Sequence, residues 1–489
     1  MRSTIYLFAL AAAVVYAAPG SNTPELIRAP IYRKTRTVGE FLTARRKQMM
    51  AKRGQAQTSL YNDGGSQYLI EVGIGTPAQK FIVTLDTGSA DLWVPSSQCP
   101  TTICPYARFD GSQSSSFKSL NQEFVVKYGI GTVNGTYATD SVTVAGTTVQ
   151  NQQFGLASTT SDILTTSTYL GSNTPTGNQT GDGVSADGIL GMGYPRLTAA
   201  TTAGQQPYNP VVFNMVAQKL IPQPVFSIYL NKGDASGWAG EIVFGGIDDS
   251  KYTGNLAYLP VASIATQSSG PLDKLFGSTS SDPSYYYWMV YGQGIQVQNG
   301  QANPSFQFAS TTGFIFDTGT TLTYLPTDIA TEIVTAVAGP DNFKFEADQN
   351  VFAVNCQIAS SKATVEFQMS STAQSNSNPI TFKIPASQLV IPMDAATPEQ
   401  ATACVFGISV NSKGSLSSNT FLIGDSVLRS AYLVFDLGNN RIGIAAANGL
   451  AGAVNGVTAT PLNSASSVSP TFAYFATAIM GSLVVWLSS

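Results

Sequence analysis

The chain has 489 residues, 43% hydrophobic and 10% aromatic but only 11% charged, with a formal net charge of −4. That is ample apolar material for two or three packed domains, and the aromatic content argues against a disordered chain. There is no histidine, which excludes Ser–His–Asp and Cys–His nucleophiles and every His-ligated zinc or haem site.

Residues 1–18 carry Arg2, an apolar run from Ile5 to Val15 and small residues at Ala17 and Ala18. This is the layout of a secretory signal peptide, and the run is too short for a membrane span. Residues 19–53 read as a basic propeptide. Between residues 18 and 53 nine Lys or Arg face two acids, a balance of +7, whereas the body from Gly54 onward carries −12. A basic run also suits a nucleic-acid-binding arm. The acidic body and the leader upstream favour the propeptide, so no nucleic-acid partner is expected. Lys52–Arg53 is a dibasic step at which a processing protease could cut.

From residue 60 to residue 448, short Val/Ile/Phe/Tyr/Thr runs punctuated by Gly, Pro, Asn and Asp predict an all-β or mostly β body. Strands are predicted at Tyr68–Gly73, Phe81–Leu85, Phe124–Tyr128, Val225–Leu230, Glu241–Phe244 and Ala431–Phe435. Helices are predicted at Asn209–Leu220 and Asp328–Ala338, and a long surface loop at Ser158–Val184. The Gly73–Ala78 run loosely matches a dinucleotide-binding glycine pattern, but Pro77 and a strand-like continuation replace the helix start such a site needs. The four cysteines form no CxxC pair, and secretion makes disulfides their natural use. Three connectivities are open; a preference for near partners gives Cys99–Cys104 and Cys356–Cys404. Asn134–Gly135–Thr136 and Asn178–Gln179–Thr180 are N-glycosylation sequons, so Asn134 and Asn178 are candidate attachment sites.

The C-terminal region is read as a Ser/Thr/Ala-rich spacer over residues 449–471 and a hydrophobic tail over residues 472–489, whose uncharged stretch runs from Phe472 to Leu487. Small residues, polar spacer and apolar tail are the pattern of a GPI-attachment signal. Asn463 in Asn463–Ser464–Ala465 is the preferred attachment residue and Asn455–Gly456 the second choice; a retained tail anchor is the alternative.

One pattern occurs twice. Phe81–Leu85 leads into Asp86–Thr87–Gly88–Ser89, followed by Trp93 and Pro95. Phe314–Phe316 leads into Asp317–Thr318–Gly319–Thr320, followed at the same offsets by Tyr324 and Pro326. Ile189–Leu190–Gly191 begins 103 residues after Asp86, and Leu422–Ile423–Gly424 begins 105 after Asp317. A single D-T-G is an ordinary Asx turn. Two with matching flanks are what a duplicated domain leaves, and they allow one Asp per unit to meet across a pseudo-twofold axis. Two carboxylates within hydrogen-bonding range cannot both ionise cheaply, so one keeps a proton while the other stays charged. Such a pair holds an acid and a base together and can activate a water without metal or histidine.

These motifs, together with Ile74–Gly75–Thr76–Pro77, Asp86–Pro95, Tyr128–Gly129 and Asp187–Gly191, closely resemble the pepsin-like aspartic proteases over nearly all of residues 60 to 448. The resemblance implies a bilobal β fold, with lobes at residues 54–245 and 246–448 and a substrate cleft between them. It implies that Asp86 and Asp317 are catalytic, and that Ser89 and Thr320 hydrogen-bond their outer oxygens. It implies that Gly88 and Gly319 help hold substrate backbone. It further implies a mobile hairpin, the flap, with Tyr128, Gly129, Gly131 and Thr132 over bound peptide and Trp93 supporting Tyr128. Leu26–Pro30 and the basic run after it resemble a pepsinogen-type prosegment. The expectation is a monomeric, secreted endopeptidase made as a zymogen and active at acid pH, with polypeptide substrates and no cofactor or metal. The dibasic step, the D-T-G-S-A-D-L-W run and the tail resemble fungal members, which places the protein at the cell surface on a GPI anchor or transferred to the wall. The rival expectation is a peptide- or wall-binding surface protein that keeps the fold without turnover.

Overall fold

The computed structural model describes residues 26–35, 66–128, 131–161, 163–164, 186–230, 237–263, 284–300, 303–347, 349–395, 397–411 and 420–456. The signal peptide, most of the propeptide, Gly129, Asn178, Asn463 and the hydrophobic tail lie outside the described residues.

The first half contains β1 (Ile27–Thr35), β2 (Ser66–Ile74), β3 (Gln79–Asp86), β4 (Leu92–Pro95), β5 (Lys118–Lys127), β6 (Thr132–Val144), β7 (Thr147–Ser161), β8 (Gly188–Gly191), β9 (Val225–Leu230) and β10 (Gly237–Phe244). The second half contains β11 (Tyr252–Pro260), β12 (Met289–Gln298), β13 (Ser305–Phe316), β14 (Thr323–Leu325), β15 (Phe343–Glu346), β16 (Val351–Val354), β17 (Thr364–Ser370) and β18 (Ile380–Pro385). It closes with β19 (Val390–Pro392), β20 (Cys404–Phe406), β21 (Ile408–Val410), β22 (Thr420–Ile423), β23 (Ala431–Asp436), β24 (Arg441–Ala447) and β25 (Ala453–Asn455). All six strands predicted from the sequence are present. The helix Thr327–Ala338 forms because Ile329, Ile333, Val334 and Val337 bury one face, and it stops at Gly339, whose φ is +82°. The second expected helix is shorter than predicted, Val211–Ala217. The stretch Ser158–Ser161, expected as loop, is the end of β7: it pairs with β6 at Thr159, Thr160 and Ser161, and those ladder bonds outweigh its polar composition.

A sheet of thirteen strands runs β11-β24-β23-β9-β10-β1-β2-β3-β8-β4-β7-β6-β5, and a second of eight runs β21-β14-β22-β13-β12-β17-β18-β25. The internal repeat is visible in both. In the first, β3 lies parallel to β8 with Asp86 opposite Gly191; in the second, β13 lies parallel to β22 with Phe316 opposite Ile423. The strands that deliver the two aspartates are therefore each braced by the later segment of their own copy of the repeat. Val83, Leu85, Phe314, Ile315 and Phe316 are buried, which is why these runs read as continuous apolar stretches.

The thirteen-strand sheet does not stop at residue 245. β9 pairs with β10 on one side and with β23 on the other, so strands of both halves share it. Trp288 fills the junction, packed on Phe226 and Phe435, with its Nε1 donating to the Met192 carbonyl at 2.9 Å. At the other end, β25 pairs with β18 through Thr381–Asn455, Phe382–Val454 and Lys383–Ala453. The folded body thus extends to Gly456, and the first residues of the expected 449–471 spacer belong to it, because Ala453–Asn455 completes a sheet edge. Both disulfides form between near partners, Cys99–Cys104 and Cys356–Cys404.

Candidate active site

Asp86 ends β3, and Asp317 follows β13 directly; both side chains are buried. Each turns back on its own D-T-G loop. Gly88 N–H donates to Asp86 Oδ1 at 2.8 Å and Ser89 Oγ to Oδ2 at 2.5 Å. In the second copy Gly319 N–H donates to Asp317 Oδ1 at 2.8 Å and Thr320 Oγ1 to Oδ2 at 2.6 Å. Each glycine also lies against the opposite carboxylate. A Cβ on Gly88 would stand 2.4 Å from Asp317 Cγ, and one on Gly319 would stand 2.4 Å from Asp86 Oδ1. Only glycine permits that approach. The glycine amides are committed to the carboxylates.

The threonines between them lock the two loops together. Thr87 N–H donates to Thr318 Oγ1 at 3.2 Å and Thr318 N–H to Thr87 Oγ1 at 3.0 Å. Their hydroxyls donate across the axis to the Phe316 and Leu85 carbonyls at 2.7 and 2.9 Å. Four buried, reciprocal bonds leave little freedom in the carboxylate separation.

Burial raises both carboxyls above their usual range, and Asp317 the further of the two because the Asp86 charge adds to its desolvation. Ser89, Asp317 and the Gly88 amide favour the ionised form of Asp86. The pair therefore shares one proton, held the more readily by Asp317. Burial pushes the phenol of half-buried Tyr287 up, and the negative charge of the nearby aspartate pair adds to this. Sequence reasoning passed over Tyr287; the Tyr285–Tyr286–Tyr287–Trp288 run ahead of β12 was the available signal.

β5 and β6 form the expected hairpin. Tyr128 N–H donates to Gly131 O at 2.8 Å, Gly131 N–H returns to Tyr128 O at 3.3 Å, and Trp93 Nε1 donates to the Tyr128 hydroxyl at 2.9 Å. Burial and the Asp86 charge push the Tyr128 phenol well up. Gly131 and Thr132 stand on the return limb, held against the end of β7. A Cβ on Gly131 would collide with Ser161 O at 1.7 Å, and Thr132 N–H donates to Ser161 Oγ at 3.1 Å. Asn134 lies two residues further along β6, on the face of Thr132 and Thr136 and opposite buried Val133. No cluster of three acids or cysteines suited to a metal ion occurs among the described residues.

A second group of polar side chains sits behind the catalytic loop and was not foreseen. Asp91, buried, accepts from the hydroxyls of Tyr137 at 2.9 Å and Tyr208 at 2.6 Å and from Ala199 N–H at 2.8 Å. Asp187, also buried, accepts from Ile82 N–H at 2.7 Å and Ala107 N–H at 3.0 Å, and desolvation raises its carboxyl to about 6.

Residues 67–447 match the family described as eukaryotic aspartyl protease. The chain is similar to mucorpepsin of Rhizomucor miehei, 32% identical over 80% of this chain and 81% of the relative. It is 31% identical to pepsin A of Suncus murinus over 80% of this chain and 83% of the relative, and 31% identical to human gastricsin over 78% and 81%. Two D-T-G loops interlocked about one buried acid pair, on a scaffold matched over most of its length by these proteases, make this chain a member of the eukaryotic aspartyl protease family and an aspartic-type endopeptidase.

Proposed function

We propose that the chain is the zymogen of a secreted, acid-working endopeptidase whose mature form is held at the cell surface by a GPI anchor. The observation that carries the zymogen reading is β1. This strand of the basic segment occupies a slot in the central sheet, pairing with β10 from Ile27 to Arg33 and with β2 from Tyr32 to Thr35. Arg28 reaches Glu241 at 3.1 Å and Asp248 at 2.5 Å, so the charge contrast between segment and body has a specific contact.

In the cleft, a water lying between the carboxylates gives a proton to Asp86 and attacks the peptide carbonyl. Asp317 protonates the carbonyl oxygen, forming a tetrahedral diol. The Asp86 proton then passes to the amide nitrogen while one diol hydroxyl gives its proton back to Asp317; the C–N bond breaks, the carboxylic acid and amine leave, and the pair is regenerated. Charge develops between two fixed donors, and the interlocked loops need not reorganise. The extended substrate binds by strand-like backbone hydrogen bonds, with Tyr128 and the β5–β6 hairpin above it as the flap. Acid supplies the shared proton.

Incubating the purified precursor at acid pH with a denatured protein substrate, with and without pepstatin, tests the reading. Cleavage that appears after loss of the basic segment and is blocked by pepstatin supports it. Equal activity in intact precursor and processed enzyme overturns the zymogen reading, and no cleavage after processing favours a binding protein that has lost turnover.

A further inference from the structure

The flap is gripped at two heights by one short stretch of chain. Near its tip, Trp93 donates to the Tyr128 hydroxyl. Two residues earlier, Asp91 accepts from Tyr137, which stands on β6, the return limb of the same hairpin. Tyr137 packs edge-on against Phe124 of β5 with ring centroids 5.0 Å apart, so it touches both limbs. Asp91 is in turn fixed to the catalytic loop, because its carbonyl accepts at 3.0 Å from Gly191 N–H, the residue paired with Asp86. Its carboxylate meets three donors, and all three stabilise the charged form.

The geometry points to Asp91 as a positioning residue: through Tyr137 it fixes the base of the flap relative to the catalytic loop, so that Tyr128 stays seated on Trp93. The assignment rests on the reading of this hairpin as the flap over substrate. It separates two bonds that look alike. Tyr137 and Tyr208 donate to the same oxygen, and their rings are 5.5 Å apart, but only Tyr137 belongs to the hairpin. Tyr208 comes after the short helix Ala199–Thr202, outside the hairpin, and its ring meets that of Tyr137.

The test compares Tyr137→Phe with Tyr208→Phe in the processed enzyme, using a peptide long enough to fill the cleft. Both remove one hydroxyl from one carboxylate, so a merely structural role would alter both alike. The expected result is a KM raised about fivefold by Tyr137→Phe with kcat within about twofold, because a misplaced flap weakens binding of substrate and transition state together. Tyr208→Phe should leave both within about twofold while lowering Tm by a similar amount. Asp91→Asn should raise KM at least as much, and adding Tyr137→Phe to it should change nothing more. Equal KM effects of the two phenylalanine variants, or multiplying effects in the Asp91→Asn background, overturn the assignment. Tyr128→Ala separates the two levels. If it damages activity while Tyr137→Phe does not, the Asp91 assignment fails alone; if it does not, the flap reading fails and the assignment with it.

Discussion

Asp86 and Asp317 sit on matched strands, bond to matched glycine and hydroxyl donors, and share one proton, so they act as one unit. Asp86→Asn or Asp317→Asn should each lower kcat by about a thousandfold or more, and the double variant should be little worse than either single one. Peptide-cleavage assays on the three variants check this, with circular dichroism to confirm the fold. Asp187 makes a different prediction. Its carboxyl stands at about 6 when folded, against about 3.9 in an unfolded chain. The folded state therefore binds the proton more tightly, so this contribution to stability is complete below the unfolded value and is lost as pH rises through about 6, on the order of 3 kcal/mol. Urea unfolding should show a lower midpoint at pH 7 than at pH 4, and Asp187→Asn should flatten the difference. The meeting of the two aspartates was legible in the sequence because the pattern occurs twice and each carboxylate finds its donors within three residues. Asp187 and Asp91 took no catalytic role in the sequence reading because their partners lie far along the chain: Ile82 is 105 residues from Asp187, and Ala199 is 108 from Asp91.

At the scale of single elements, β1 was legible only as a basic segment. Pro30 and the run of charges argue against a strand, yet a strand forms because Pro30 faces β10 alone; pairing to β2 begins only at Tyr32. Its clasp has a definite acid response. Partial burial works upward on Asp248, but the Ser250 hydroxyl and the Arg28 guanidinium hold it down to about 2. That contribution is present above the free carboxyl's range and is lost as pH falls through about 2. Arg28 is partly exposed, so the clasp is worth at most about 1 kcal/mol. Arg28→Gln should therefore raise the pH at which the precursor activates. In an Asp86→Asn precursor, which cannot cut itself, loss of the clasp should make β1 at most about fivefold more open to cleavage near pH 2 than at pH 4. Limited proteolysis of that precursor across the range checks both. The disulfides differ in weight. Cys356–Cys404 closes a loop with a sequence separation of 48 and Cys99–Cys104 one of 5. The chain-entropy argument gives about 4 and about 2 kcal/mol respectively. Replacing the first pair by serine should lower the denaturation midpoint more than replacing the second.

The molecule as a whole carries its charge in two blocks, a +7 segment and a −12 body. The duplication made the bilobal architecture legible, since two copies of one pattern imply two units meeting at an axis. The sharing of one sheet between the lobes was not legible, because β9, β10, β11, β23 and β24 show only local strand signals and their order across the sheet is a matter of long-range packing. The described residues end at Gly456, just after β25, and the expected tail lies outside them. If the tail is exchanged for a lipid, treating intact cells with phosphatidylinositol-specific phospholipase C should release the enzyme, and truncation after Thr471 should send it into the medium. Retention on cells with accessible surfaces after lipase treatment would refute the anchor.

The sharing of β9 between β10 and β23 also has a meaning for biosynthesis. A ribosome delivers β9 about two hundred residues before β23, so for that whole interval of synthesis one side of the strand has bare amides and carbonyls. An unpaired, apolar edge is the part of a nascent chain most prone to pair with the wrong partner. A message cut short between codons 230 and 431 would leave that edge open for good. Such fragments should aggregate or be degraded instead of yielding a free, soluble amino-terminal lobe, which expression of the chain cut after residue 245 would check.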